Sequence, residues 1–290
     1  MTISRQTIRE DVSRSLRLRV RGSALNPLVG PPFTIDVAAV GDLIPQSEAP
    51  ISAYIWELGE AEENFARITA YDAATNRLTL NRDPGLVASD AVDIYLILTT
   101  VDWNAAINKA LPRLFRVERV SITPVSGEPE YALAGPAPWL IAREQIEAIK
   151  IRKTDGTTLL YEEAYPAWEL SLTDNQATLR LHTLPEDITD VLFIIEGRRF
   201  YDRLAGDSDT TSCPDELVKA AVRVEALSTI WSLMGVEAAK SMFGEELGLA
   251  LNELGDAKRR FLPRVTPHPI QFPAPYVGPE LALRPNEFRW

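Results

Sequence analysis

The stretch Arg67–Pro84, "RITAYDAATNRLTLNRDP", reads as a strand, a short polar turn and a second strand. Ile68 and Ala70 fall on one face of the first strand, and Leu78 and Leu80 pair with them from the second. Thr69, Tyr71 and Thr79 face the other way. Asp72 and Asn76 bracket the turn, and asparagine tolerates the left-handed backbone that such a turn needs. This is half-buried antiparallel scaffold, not a cofactor loop. The same signal continues on both sides. "FTIDVAAV" from Phe33, "ISAYIWELG" from Ile51 and "VDIYLILT" from Val92 are short runs rich in β-branched and aromatic residues. Residues 31–100 are therefore expected to form a first β module.

Ahead of it, Thr2 to about Val20 has helical spacing, with Ile3, Ile8, Val12, Leu16 and Val20 on one stripe. Arg5, Arg9, Arg14, Arg17, Arg19 and Arg21 crowd the other faces, giving either a solvated helix or one that docks on an acidic partner. Gly22 is expected to stop this helix, and Pro27, Pro31 and Pro32 mark a loop, so residues 1–30 read as helix and loop.

Behind the β module, "VDWNAAINKALPRLF" returns to helix over the connecting segment 101–119. Asp102 is the expected N-cap, and Pro112 is expected to kink or end the helix. Residues 120–205 read as a second β module, a small sandwich or barrel. Its runs are "EYALA", "PWLIAREQIEAIKIRK", "TLLYEEA", "WELSLT", "ATLRLHTL" and "DVLFIIEGRRF", with turns at "KTDGTT" and "TDNQA".

Residues 206–262 read as an acidic linker, "AGDSDTTSC", followed by two helices. Pro214, Asp215 and Glu216 suit a helix start. Leu217, Ala221, Val224, Leu227, Trp231 and Met234 form one stripe, and Gly235 breaks it. Val236, Ala239, Phe243, Leu247, Ala250, Leu254, Ala257 and Phe261 then alternate at four and three, a heptad-like pattern. Two helices joined by one glycine fold back into an antiparallel hairpin. Gly244, Gly248 and Gly255 each cost roughly 1 kcal/mol of helix propensity, so either a neighbouring helix approaches closely or the segment is flexible.

Residues 263–290, "PRVTPHPIQFPAPYVGPELALRPNEFRW", hold seven of the chain's 21 prolines. Helix and central strand are excluded, leaving an extended, polyproline-like arm. Pro263, Ile270, Phe272, Tyr276, Val277, Leu281, Leu283, Phe288 and Trp290 give it spaced anchors of the kind that lie in a groove on a partner, or wrap the same subunit. The fold class is thus α+β: antiparallel β modules, an N-terminal helix, a C-terminal helical hairpin and an extended arm.

Chemistry is sparse. The two histidines, His182 and His268, lie on a strand and in the arm, and no Ser-His-Asp or Cys-His set follows from spacing. The single cysteine, Cys213, excludes an internal disulfide and a Cys-based zinc cluster, and points to a reducing cytoplasm. Asp207 and Asp209 stand two apart, as in some calcium sites, without the glycine and glutamate that would follow in an EF-hand. No phosphate-binding glycine motif occurs. Trp56, Trp139 and Trp168 would suit a sugar-stacking platform or, more simply, a core. The expectation is no enzyme, no metal and no cofactor. No run is apolar enough to cross a bilayer, and the arginine-rich start is not a signal peptide. With 30 Lys and Arg against 41 Asp and Glu, the formal charge of −11 gives solubility, or a surface past which nucleic acid slides without sticking.

The order of parts, with "RITAYDAATNRLTLNRDP", "NAAINKAL", the module from "EYALA" to "VLFIIEGRRF", and "PDELVKAAVRVEAL", resembles tailed-bacteriophage head–tail connector proteins, the neck adaptors beneath the portal. The resemblance implies a homo-oligomeric ring on the portal, usually a dodecamer, inside the virion neck and assembled in the host cytoplasm. It implies portal docking by the arm (Pro263, Ile270, Phe272, Tyr276, Leu281, Leu283, Phe288 and Trp290). It implies packing of the helical hairpin between subunits through Trp231, Phe243, Gly244, Gly248 and Leu254. Tail or fibre proteins would attach to the β modules, and DNA would pass without sequence-specific contact. The alternatives are a tail-tip hub or fibre-attachment protein and, in another class, a glycan-binding sandwich.

Overall fold

The computed structural model describes residues 2–38, 52–58, 60–61, 64–72, 74–126, 128–155, 157–165, 168–173, 176–182 and 190–262. The chain starts with β1 (Ile3–Ser4), α1 (Arg5–Ser15) and β2 (Arg19–Ser23). Ser4 caps α1 by accepting the Thr7 N–H at 3.1 Å. The helix is shorter than its periodicity predicts. Arg17 takes a left-handed backbone (φ 56°), and residues 19–23 leave as a strand. Ile8, Val12 and Leu16 hold the predicted apolar stripe, while Val20 belongs to the sheet.

The first β module adds β3 (Phe33–Asp36), β4 (Ala53–Glu57), β5 (Phe65–Asp72), β6 (Arg77–Leu80) and β7 (Ala91–Leu96). The six strands run in the order β2-β7-β4-β5-β6-β3, antiparallel throughout. The two ends of this sheet then meet. Ala24 bridges Val37, and the Ala38 N–H donates to Ser23 O at 3.1 Å, so the sheet closes into a small barrel with no free edge at that seam. Ile35, Ile55, Ile68, Leu78, Val92 and Ile94 fill its interior. Gly22, expected to end a helix, sits at the seam instead. A β-carbon there would collide with the Ala38 carbonyl oxygen and lie 2.9 Å from Val37 Cγ1. Gly22→Ala is expected to cost about 1–3 kcal/mol, read as a lowered urea midpoint.

The Arg67–Pro84 hairpin supplies β5 and β6. Asn76 is left-handed as anticipated (φ 53°), and Asp72 Oδ1 accepts the Ala74 N–H at 3.0 Å. One face differs. A β-bulge between Ile68 and Ala70 shifts the register, so Ile68 pairs with Leu80 while Ala70 faces solvent opposite Thr79.

α2 (Thr100–Ala110) follows. Its N-cap is Thr99, three residues before the expected Asp102. Asp102 completes a capping box, its carboxylate accepting the Thr99 N–H at 2.8 Å. Pro112 ends the helix in a single 3₁₀ turn, Leu111–Arg113.

The second β module holds β8 (Phe115–Ile122), β9 (Glu130–Ala132), β10 (Ile146–Asp155), β11 (Thr158–Ala164), β12 (Trp168–Thr173), β13 (Gln176–Leu181) and β14 (Val191–Phe200). It is a sandwich of an antiparallel sheet β11-β10-β14-β8 on a smaller sheet β12-β13-β9. Ile149, Ile151, Phe193 and Ile195 from one sheet meet Leu179 and Leu181 from the other in a shared core. "WLIA", read as strand, is loop leading into a 3₁₀ turn, Arg143–Gln145.

β15 (Thr210–Thr211) pairs with β1, and α3 (Asp215–Met234) and α4 (Val236–Phe261) complete the chain's described part. α3 and α4 fold back at Gly235 (φ 80°) as an antiparallel hairpin. Arg223 meets Glu253 at 2.8 Å and Arg260 meets Glu216 at 2.5 Å, two rungs that fix the antiparallel alignment. The class is α+β, with the helices gathered on the barrel side around Trp103, Leu217, Leu227 and Ile230.

Candidate interaction surfaces

Of the six arginines that looked like an exposed cationic face, Arg5, Arg9 and Arg19 are buried, while Arg14, Arg17 and Arg21 stay exposed. β7 is buried on both sides: Val92 and Ile94 point into the barrel, while Asp93 and Tyr95 point out beneath α1. Arg9, fully buried, donates to Asp207 through two nitrogens at 2.8 and 2.5 Å. It also reaches Asn104 Oδ1 at 2.8 Å and the Tyr95 hydroxyl at 3.2 Å, and lies 4.9 Å over the Trp56 ring. Arg5 donates to Asp207 at 3.0 Å. On the other flank Arg19 and Arg21 donate to the buried Asp93 at 2.8 and 3.1 Å, and Arg21 pairs with Glu10 at 2.5 Å. Burial opposes the Asp207 charge, but hydrogen bonds and attraction from Arg9 and Arg5 outweigh it and hold this carboxyl below its ordinary range. The expected acidic linker is thus a clasp. It ties α1 to the barrel and to the segment after the sandwich, and it answers the calcium reading of Asp207 and Asp209. Asp207 is taken by arginines, and Asp209 accepts the Ala205 and Gly206 N–H groups at 2.8 and 2.7 Å. Among the described residues no group of three or more His, Cys, Asp and Glu is placed to hold a metal ion.

A groove of about 420 Å³ separates α1 from the α3–α4 pair. Its charged rim is satisfied internally, Lys219 by Asp11 at 2.7 Å and Arg223 by Glu253. It is a salt-laced seam between helices.

The outer side of α4 is different. Ala239, Phe243, Ala250 and Ala257 turn inward, with Leu247, Leu254 and Phe261 packed beside them. The helix kinks at Phe243 (φ −134°, ψ 16°). Val236, Met242, Leu249 and Leu251 stay exposed on α4, Leu249 at 58% and Val236 at 62%, as does Leu233 near the end of α3. A β-carbon at Gly248 or Gly255 would meet no atom within 4 Å, and one at Gly244 only Lys240 Cγ at 3.6 Å. Close approach among the described residues does not account for those glycines.

Of the residues expected to pack between subunits, Gly248 is exposed and Gly244 half-buried, Phe243 lies in the helical core with Leu254 half-buried against it, and Trp231 is half-buried outside that cluster. The arm residues Pro263, Ile270, Phe272, Tyr276, Leu281, Leu283, Phe288 and Trp290 lie outside the described residues, as does His268. His182 is exposed, 3.8 Å from Glu169. The tryptophans form no sugar platform. Trp56 is buried under Arg9 in the helical core, whereas Trp139 and Trp168 pack against the sandwich core. Cys213 is buried, and desolvation pushes its thiol up to about 12. It is expected to ignore a disulfide reagent at pH 8 in the native chain and to react at once in denaturant, measured by thionitrobenzoate release.

Sequence reasoning missed the arginine clasp. A signal was present, since Arg5 and Arg9 are four apart and share a helix face with Ile8 and Val12.

Compared with protein-family models and with curated protein sequences, the chain matches none.

Proposed function

We propose that this chain is a structural virion protein of a tailed bacteriophage, a head-to-tail connector that forms a ring on the portal, lets DNA pass and anchors tail or fibre components. One observation carries the reading. α4 carries exposed Val236, Met242, Leu249 and Leu251, and Gly248 and Gly255 that nothing else in the described chain approaches, and its last turn leads directly into the proline-rich, anchor-bearing residues 263–290. Exposed apolar side chains can anchor a partner, and helix-interior glycines are kept where a second helix comes close. In a ring each hairpin has such a neighbour. α1 and α2 hold the hairpin through α3, and the closed barrel and the sandwich offer further surface. On this reading the chain performs no reaction and needs no cofactor.

Gly248→Ala with Gly255→Ala tests it. In the isolated chain the pair is expected to raise stability by up to about 1 kcal/mol per site, because helix propensity improves and nothing clashes. In phage particles the same pair is expected to lower incorporation, because the added methyls hold neighbouring helices apart. Normal incorporation with raised stability would remove the packing role and with it the main support for the ring.

A further inference from the structure

The two β modules treat their edges differently. The barrel closes on itself, whereas the four-stranded sandwich sheet ends in two unpaired strands. Among the described residues β11 pairs with β10 alone and β8 with β14 alone, and no described backbone group bonds to the outer edge of either. An open edge is normally blunted by short length, lysine or proline. β11 is not short and holds no lysine or proline, and its edge devices are Glu162, Glu163 and a bulge at Leu160, between the Lys153–Tyr161 and Thr154–Leu159 pairs. It runs seven residues with Leu159 at 53% and Leu160 at 55% exposure.

The outer face of this sheet carries a ladder of alternating charge. Arg119 on β8 meets Glu196 on β14 at 2.7 Å, Glu196 meets Lys150 on β10 at 2.9 Å, and Glu162 on β11 is met by Lys150 at 3.5 Å and, more closely, by Arg152 of β10 at 2.5 Å. The ladder therefore ends on a base at one edge and on an acid at the other. Strand direction alternates across all four strands, so β8 runs opposite to β11. A neighbour related by rotation can place its β8 antiparallel beside β11, where Arg119 extends the alternation after Glu162.

We infer that copies of this chain join head to tail through the sandwich, β11 of one copy pairing with β8 of the next into one continuous antiparallel sheet. The contact is heterologous, each copy using both edges, and such contacts close into rings or run on as filaments. Backbone hydrogen bonds supply affinity, and the Glu162–Arg119 pairing supplies register and direction. The inference rests on the ring reading above and names a contact for it.

Cysteine cross-linking of the full-length chain tests it. The native Cys213 is buried and stays silent. The double variant Leu160→Cys with Ser121→Cys, oxidised at high protein concentration, is expected to give a ladder of dimers, trimers and larger species, while either single variant gives none. Adding Glu162→Arg is expected to lower the ladder yield at least tenfold. Mixing that chain with one carrying Arg119→Glu is expected to restore it, since both junctions of an alternating assembly are again complementary. No ladder from the double variant, or a dimer as strong from Leu160→Cys alone, would overturn the inference; the second result would mean β11 pairs with itself. A ladder from a chain that is absent from phage particles would leave the edge pairing standing and remove the connector. A chain present in particles but giving no ladder would do the reverse.

Discussion

Asp207→Ala is expected to destabilise the chain by about 3–5 kcal/mol, the largest loss among single substitutions away from the hydrophobic cores. The reason is the position of its partner. Arg9 has no exposed side-chain surface, and the Asp207 carboxylate takes both of its terminal nitrogens. Removing the acid leaves a buried cation without its counter-charge, and the remaining bonds to Asn104 and Tyr95 bring no opposite charge. The same carboxylate holds Arg5, so α1 loses two attachments to the segment that precedes α3. Urea denaturation of Asp207→Ala beside the parent measures the loss. The control is Asp256→Ala, which breaks the solvent-exposed pair with Arg259 and should barely move the midpoint. The pH dependence has a definite sign. Asp207 is held below the ordinary carboxylate range in the folded chain, so its contribution is complete above about pH 4 and is lost as pH falls through the lower folded value. The parent should therefore lose stability more steeply in acid than Asp207→Ala does. Parallel slopes would mean that the clasp carries no net charge stabilisation.

Ending the chain at Leu262 is expected to abolish portal binding, by at least a hundredfold in Kd, while leaving the unfolding midpoint unchanged. On the connector reading residues 263–290 dock on the portal rather than on their own subunit, so the unfolding midpoint is expected not to depend on them. On the same reading binding does. At ~3.1 Å per residue, an extended segment of 28 residues reaches about 85 Å, enough to cross from one subunit onto another. Burying two anchors such as Phe288 and Trp290 at about 1.5–3 kcal/mol each already exceeds a hundredfold in affinity. Proline pre-restricts the backbone and lowers the entropy lost on docking. Surface plasmon resonance of purified portal with full-length and shortened chains measures the difference. Retained binding would shift the docking role to α4, and retained assembly into tails without portal binding would favour a tail-tip protein.

Local pattern carried much of this structure. Alternation placed β5, β6 and β13, the four-and-three spacing placed α4, and Pro112 ended α2 where its ring forbids continuation. What pattern could not carry was anything set by a distant partner. Arginines in helical spacing look solvated until an aspartate 198 positions away turns out to hold them. Gly22 looks like a helix stop because its real neighbours, Val37 and Ala38, meet it only when the barrel closes. The bulge after Ile68 leaves composition unchanged and moves only the register, so Ala70 was assigned to the wrong face. The open edges β8 and β11 depend on strand order across a sheet, which periodicity does not encode. Of α4, the apolar stripe that turns Phe243 inward and the glycine content were legible, while the kink at Phe243 was not.

The most direct measurement for the connector reading is quantitative mass spectrometry of phage particles purified from a lysate that expresses this chain, with its copy number counted against the portal protein. The reading predicts a ratio near one, one subunit of this ring for each subunit of the portal. A ratio well below one would move the chain to the tail tip or fibres, and absence from the particles would contradict a virion role altogether.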